Sequence, residues 1–61
     1  TDKCTDYADL YFDMGIIYLQ INQRTNSKEC FEEAIRAYRN VYGDTDRHYL
    51  ERYSEILNYI K

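Results

Sequence analysis

Residues 11–34 read YFDMGIIYLQINQRTNSKECFEEA, and the spacing of their aromatic, glycine and alanine positions decides the fold. Apolar residues recur here at three- and four-residue intervals, the period of an α-helix, with the polar run Asn22 to Asn26 interrupting it. Two helices joined by a short loop follow. Gly15 on the first and Ala34 on the second are small, so the two segments are expected to run antiparallel and to touch there, with Tyr11, Tyr18 and Phe31 filling the space around the crossing.

Outward from this stretch the pattern stays helical, because the chain holds no proline and only Gly15 and Gly43 as breakers. Thr5 is the expected N-cap of the first helix, its hydroxyl accepting a first-turn N–H, with Asp6 and Asp9 favourable at the positive end of the dipole. Tyr7, Leu10, Tyr11, Met14, Ile17, Tyr18 and Ile21 then line one face, and Phe12, Ile16 and Leu19 line another. A helix apolar on two sides needs two neighbours.

For the second helix, Asn26 with Glu29 three places on predicts a capping box. Cys30, Phe31, Ala34, Ile35, Tyr38, Val41 and Tyr42 form its stripe, and Gly43 is the expected left-handed stop. Asp44, Thr45 and Asp46 offer the next cap and an acidic first turn. Leu50, Tyr53, Ile56, Leu57 and Ile60 follow at helical spacing as one apolar face, so the third helix reads as a lid on the first two. The fold class is therefore all-α, an antiparallel helix-turn-helix over residues 5–42 with a third packing helix over 44–61, in a single unit of residues 1–61.

The chain has 61 residues. That length buries only about 60% of the surface an unfolded chain exposes, and an ordering cost of roughly 1.5 kcal/mol per residue leaves a balance near zero. Neighbouring protein is thus expected to contribute, and a chain beginning at Thr1 instead of Met reads as a piece of something longer. A hydrophobic content of 44% and a charged content of 31% suit a globular domain. The aromatics are eight tyrosines and two phenylalanines, whose phenols allow buried rings with wet hydroxyls.

The net charge is −3, and Lys3, Arg24, Lys28, Arg36, Arg39, Arg47, Arg52 and Lys61 are interspersed with acids. Nucleic-acid binding needs a concentrated basic face, so it is set aside. No apolar run reaches the roughly 18 residues of a membrane span, and the first residues lack the features of a signal peptide. Two cysteines, Cys4 and Cys30, fall short of a disulfide framework. Cys30 lies on an apolar stripe and reads as a structural thiol, which favours a reducing, cytoplasmic location.

The residues Tyr11, Met14, Gly15 and Tyr18, followed in register by Ser27, Phe31 and Ala34, resemble the tetratricopeptide repeat, which asks for an aromatic, an aliphatic and Gly, an aromatic, then a small residue, Phe and Ala. The offset that carries Tyr11 onto Tyr53 carries Met14 onto Ile56, so the third helix is similar to the start of a following repeat. That offset exceeds the family's period of about 34 and is similar to the spacing in kinesin light chain. The turn from Gly43 to Leu50, with His48 inside it, also resembles the C-terminal helical domain of SET-and-MYND lysine methyltransferases. Departures are the missing proline after the second helix, Ser27 in place of Ala, and Leu57 where a second copy would have Gly, which makes the third helix a capping helix.

The resemblance implies a ligand surface along the first helix, at Asp9, Phe12, Ile16, Leu19 and Gln20. Two readings of that stripe stand side by side: Phe12, Ile16 and Leu19 are buried against a preceding helix, or they form an apolar patch for a partner's amphipathic helix. The function expected is a non-catalytic protein-interaction scaffold, docking a helical segment or adjoining repeats and open to self-association, with no nucleic acid and no membrane. The alternative is the C-terminal helical lobe of a SET-and-MYND-type methyltransferase whose catalytic part lies elsewhere.

No cofactor is expected. Cys4, Cys30 and His48 lack paired zinc-ligand spacing, and His48 reads as a turn residue. Catalysis needs a nucleophile, base and orienting group converging in a pocket; Glu32 with Glu33, and Asp44 with Asp46, read as solvated faces and caps. Tyr38, Tyr42, Tyr49 and Tyr53 read as a packed seam between the second and third helices.

Overall fold

A computed structural model describes residues 4–60; residues 1–3 and 61, including Lys3 and Lys61 of the sequence reading, lie outside the described residues. Three helices follow in chain order, α1 (Asp6–Gln20), α2 (Arg24–Tyr42) and α3 (Arg47–Ile60). α1 packs along α2 and α2 along α3, so the molecule is all-α, a helical hairpin with a third helix against it. Pairings across the hairpin run in opposite senses: Asp9 meets Tyr38 and Gly15 meets Ser27. The core holds Ala8, Phe12, Phe31, Ala34, Tyr38, Tyr49 and Ile56.

Gly15 sets the closeness of the hairpin. A Cβ at this position would lie 2.6 to 2.8 Å from three atoms of the Phe31 ring. The ring is fully buried and has nowhere to retreat. Ser27, also fully buried, donates its hydroxyl to the Gly15 carbonyl at 2.7 Å, tying the two helices where they cross. What occupies the space left by Gly15 is the Phe31 ring, while Ala34 lies farther along α2 in the same buried row.

The helix ends depart from the sequence reading in instructive ways. Thr5 is the N-cap of α1, but its hydroxyl makes no cap bond; it donates to the Asp9 carboxylate at 3.0 Å. α2 begins at Arg24, before the capping box expected at Asn26, because the loop closes in a few residues. Asn22 takes φ 63°, which asparagine tolerates, and the Gln23 N–H reaches back to the Tyr18 carbonyl at 2.8 Å. Asn26 therefore lies inside the helix, with its amide 3.4 Å from the Gln23 side chain. Gly43 ends α2 at φ 91° and ψ 158°, a region open essentially to glycine, and its N–H reaches the Arg39 carbonyl at 2.7 Å. Asp46 caps α3 by accepting the His48 backbone N–H at 2.8 Å; no acid follows it in the first turn.

Gly15→Ala tests the crossing. A gain in helix propensity of up to about 1 kcal/mol opposes an overpacking cost of roughly 1–3 kcal/mol, and the buried ring makes the second term win. We expect the thermal midpoint to fall by roughly 5–10 °C. In a Phe31→Leu background, where the ring is gone, the same substitution should be neutral or stabilising.

Candidate functional site

α1 has two apolar faces and the fold buries one of them. Ala8, Phe12 and Gly15 point into the core, while Tyr7, Leu10, Ile17 and Ile21 stand 54%, 55%, 54% and 58% exposed. Met14 lies half-buried between them on the same stripe. Single exposed apolar side chains are ordinary; a stripe of them along a helix is a candidate site. Asp6 and Asp13, both exposed, border it. α3 carries a second, smaller patch in Leu50, Tyr53 and Leu57. Only Tyr49 and Ile56 of that helix are buried, so the lid uses a narrower face than its apolar periodicity predicts.

The residues singled out from the sequence fall elsewhere. Phe12 is buried: its ring lies 5.9 Å from Phe31 and 6.1 Å from Tyr59, with the Arg52 guanidinium 5.3 Å above it. It is thus corrected from a candidate contact to a core residue, and the helix that covers it is α3 of this chain, not a preceding one. Ile16 and Leu19 are half-buried and pack against the same core. Asp9 is half-buried with both carboxylate oxygens engaged, one by Thr5 and one by the Tyr38 hydroxyl. Gln20 is exposed at the end of α1. These five residues therefore do not share one open surface.

Two tyrosines tie the hairpin through acids. Tyr38 donates to Asp9, and its burial, followed by that hydrogen bond, pushes its phenol well above the ordinary value. Tyr7 donates to Glu33 at 2.8 Å, and that hydrogen bond, followed by one with Tyr11, raises its phenol to about 12. Arg36 also pairs with Glu33, and the two bonds, Arg36 first, hold the Glu33 carboxyl below its usual range.

The groups considered for metal or catalysis lie apart, some buried and some exposed. Cys30 is buried and free, and burial, then the nearby Glu29 charge, raises its thiol; Cys4 is free and exposed. His48 stacks on Tyr42 at 5.1 Å and keeps its Nδ1 3.1 Å from Asp46. Among the described residues no three His, Cys, Asp or Glu side chains come together as metal ligands. A depression of about 390 Å³ lies on the outer face of α2 among Glu29, Glu32, Glu33, Ile35, Arg36 and Arg39. Of the four tyrosines expected at the seam between α2 and α3, Tyr38 stacks on Tyr42 within α2 and Tyr49 on Tyr53 within α3; Tyr38 and Tyr49 are buried in the core, and Tyr53 is exposed.

What defines the molecule at this point is a three-helix all-α unit with an apolar, acid-bordered outer face. Comparison with protein-family models, with curated proteins and with solved structures gives no match. No helix among the described residues is long and apolar enough to cross a membrane.

Two measurements follow. The raised phenols bind protons more tightly in the fold than in the unfolded chain, so their stabilisation is complete below the unfolded value of about 10 and is lost as pH rises through the folded value. The thermal midpoint should therefore decline above about pH 10. Tyr38→Phe should start lower at neutral pH and decline less steeply, Tyr7 supplying what remains. Thiol labelling should modify Cys4 in the native protein and reach Cys30 only when denaturant is added; equal labelling of both would contradict the buried placement.

Proposed function

We propose that this chain is a non-catalytic protein-docking module, a tetratricopeptide-like hairpin with a capping helix, and that it binds through the outer face of α1. The observation that carries this reading is the exposed stripe of Tyr7, Leu10, Ile17 and Ile21 along a helix whose other face is already buried. The partner is a protein helix or an adjoining helical repeat, which lays its own apolar face along that stripe in the helix-in-groove manner. The small-residue crossing at Gly15, with Ser27 and Phe31 in register, supports the family resemblance. The two free thiols favour a reducing compartment, the cytoplasm.

This proposal moves the contact surface from Phe12, Ile16 and Leu19 to the opposite side of the same helix. The two sides are separable by substitution. Leu10→Ser with Ile17→Ser removes exposed apolar surface and should leave helicity unchanged, with a stability change of about 0.5 kcal/mol or less. Phe12→Ala opens the core and should cost about 3–5 kcal/mol, enough to unfold so small a domain. A photo-crosslinking residue at Asp13, beside the stripe, should give a protein adduct that the Leu10→Ser, Ile17→Ser variant loses while staying folded. An adduct of undiminished yield in that variant would end the proposal.

A further inference from the structure

Away from the α1 stripe, the ends of all three helices enclose a slot of about 150 Å³ lined by Leu19, Arg24, Lys28, Tyr59 and Ile60. Its apolar walls touch the core. Leu19 and Ile60 pack against the core, and the Tyr59 ring stacks on Phe31 at 5.6 Å. Its rim carries two cations, Arg24 and Lys28, one helical turn apart on α2.

Those cations differ from the paired arginines of the chain, and Arg39 is the other described cation without a carboxylate within 4 Å. Arg36, Arg47 and Arg52 each have a carboxylate within 4 Å, in Glu33, Glu51 and Glu55. Among the described residues Arg24 and Lys28 have none, although the net charge of the chain is −3. Arg24 also stands where a helix tolerates a cation least, with Lys28 one turn further on. The first turn of α1 holds Asp6 and Asp9, whereas that of α2 holds no acid, begins with Arg24 and lacks a side-chain cap. Arg24 therefore carries a cost at the start of α2 that no ion pair among the described residues offsets.

We propose that this slot binds a short acidic peptide segment, one apolar side chain entering between Leu19, Tyr59 and Ile60 while neighbouring Asp or Glu side chains pair with Arg24 and Lys28. The volume selects the ligand class. Small-molecule sites occupy roughly 300–1,000 Å³, whereas this slot holds about one leucine-sized side chain. The apolar walls give nothing to a phosphate backbone, and two cations are few for nucleic acid. Charge-assisted bonds at the rim fix orientation, and the apolar side chain supplies the burial. The proposal does not depend on the α1 outer face, whose substitution leaves the slot intact.

The test titrates the full chain, observed by amide NMR, with the acetylated and amidated peptide Asp-Glu-Leu-Asp-Glu. Shifts should concentrate at Leu19, Arg24, Lys28, Tyr59 and Ile60. Replacing the central leucine by serine should weaken binding by roughly tenfold, the loss expected for one buried apolar side chain. The peptide Lys-Lys-Leu-Lys-Lys should produce no shifts. Arg24→Glu with Lys28→Glu should abolish binding while holding or raising the thermal midpoint, because acids suit the start of α2. The Leu10→Ser, Ile17→Ser variant should bind as the parent does, which separates this result from the fate of the α1 proposal. Absence of shifts, equal affinity for the serine peptide, or tighter binding of an oligouridylate at the same residues would each overturn it.

Discussion

The contact of the Phe31 ring with the backbone of Gly15 is the constraint on which the rest of the structure depends. Glycine inside a helix costs about 0.5–1 kcal/mol relative to alanine. The helix accepts this because the missing Cβ lets a fully buried aromatic ring lie against it. Ser27 then fixes the register by donating to the Gly15 carbonyl, so one α1 position is held both sterically and by a hydrogen bond. With α1 and α2 in this register, Asp9 falls beside Tyr38 and Tyr7 beside Glu33, and the hairpin acquires its polar ties.

From the same register comes the position of α3. Phe31 presents one side to Gly15 and stacks with Tyr59, while Phe12 meets both rings and lies beneath Arg52. Arg52 also lies 5.8 Å over the Tyr38 ring and reaches Glu55 at 3.3 Å, so its stem and guanidinium cover aromatic surface that would otherwise meet water. The third helix closes over the hairpin through Arg52, Tyr49 and Tyr59 as much as through its aliphatic side chains.

This explains what was legible in the sequence and what was not. Helical periodicity, the two glycines and the acidic segment before α3 were enough for three helices and their order, because these are local signals. The start of α2 was misplaced because Asn26 and Glu29 imitate a capping box, while the actual turn depends on Asn22 adopting positive φ, which no spacing announces. The site was harder. α1 shows apolar residues on two faces, and periodicity alone does not say which face the chain itself buries. Family register favoured Phe12 as a contact, yet Phe12 is covered by Tyr59 and Arg52, neither of which belongs to the apolar stripe of α3 read from the sequence. A tyrosine and an arginine one turn to either side of Ile56 were the available signal, and aliphatic counting passes over both.

The two surfaces left open have different physical characters. The α1 stripe is apolar and bordered by Asp6 and Asp13, suited to burial against another helix; the slot is small and rimmed by cations. A chain of this size stands near the limit at which burial offsets conformational entropy. Any partner that covers the stripe binds the folded chain and not the unfolded one, so docking and folding are linked. Leaving Leu10 and Ile17 in water contributes nothing to the isolated domain, whereas covering them adds apolar burial without disturbing the Gly15 crossing on the opposite side of the helix. The same division lets α1 hold the hairpin together with one face and present the other.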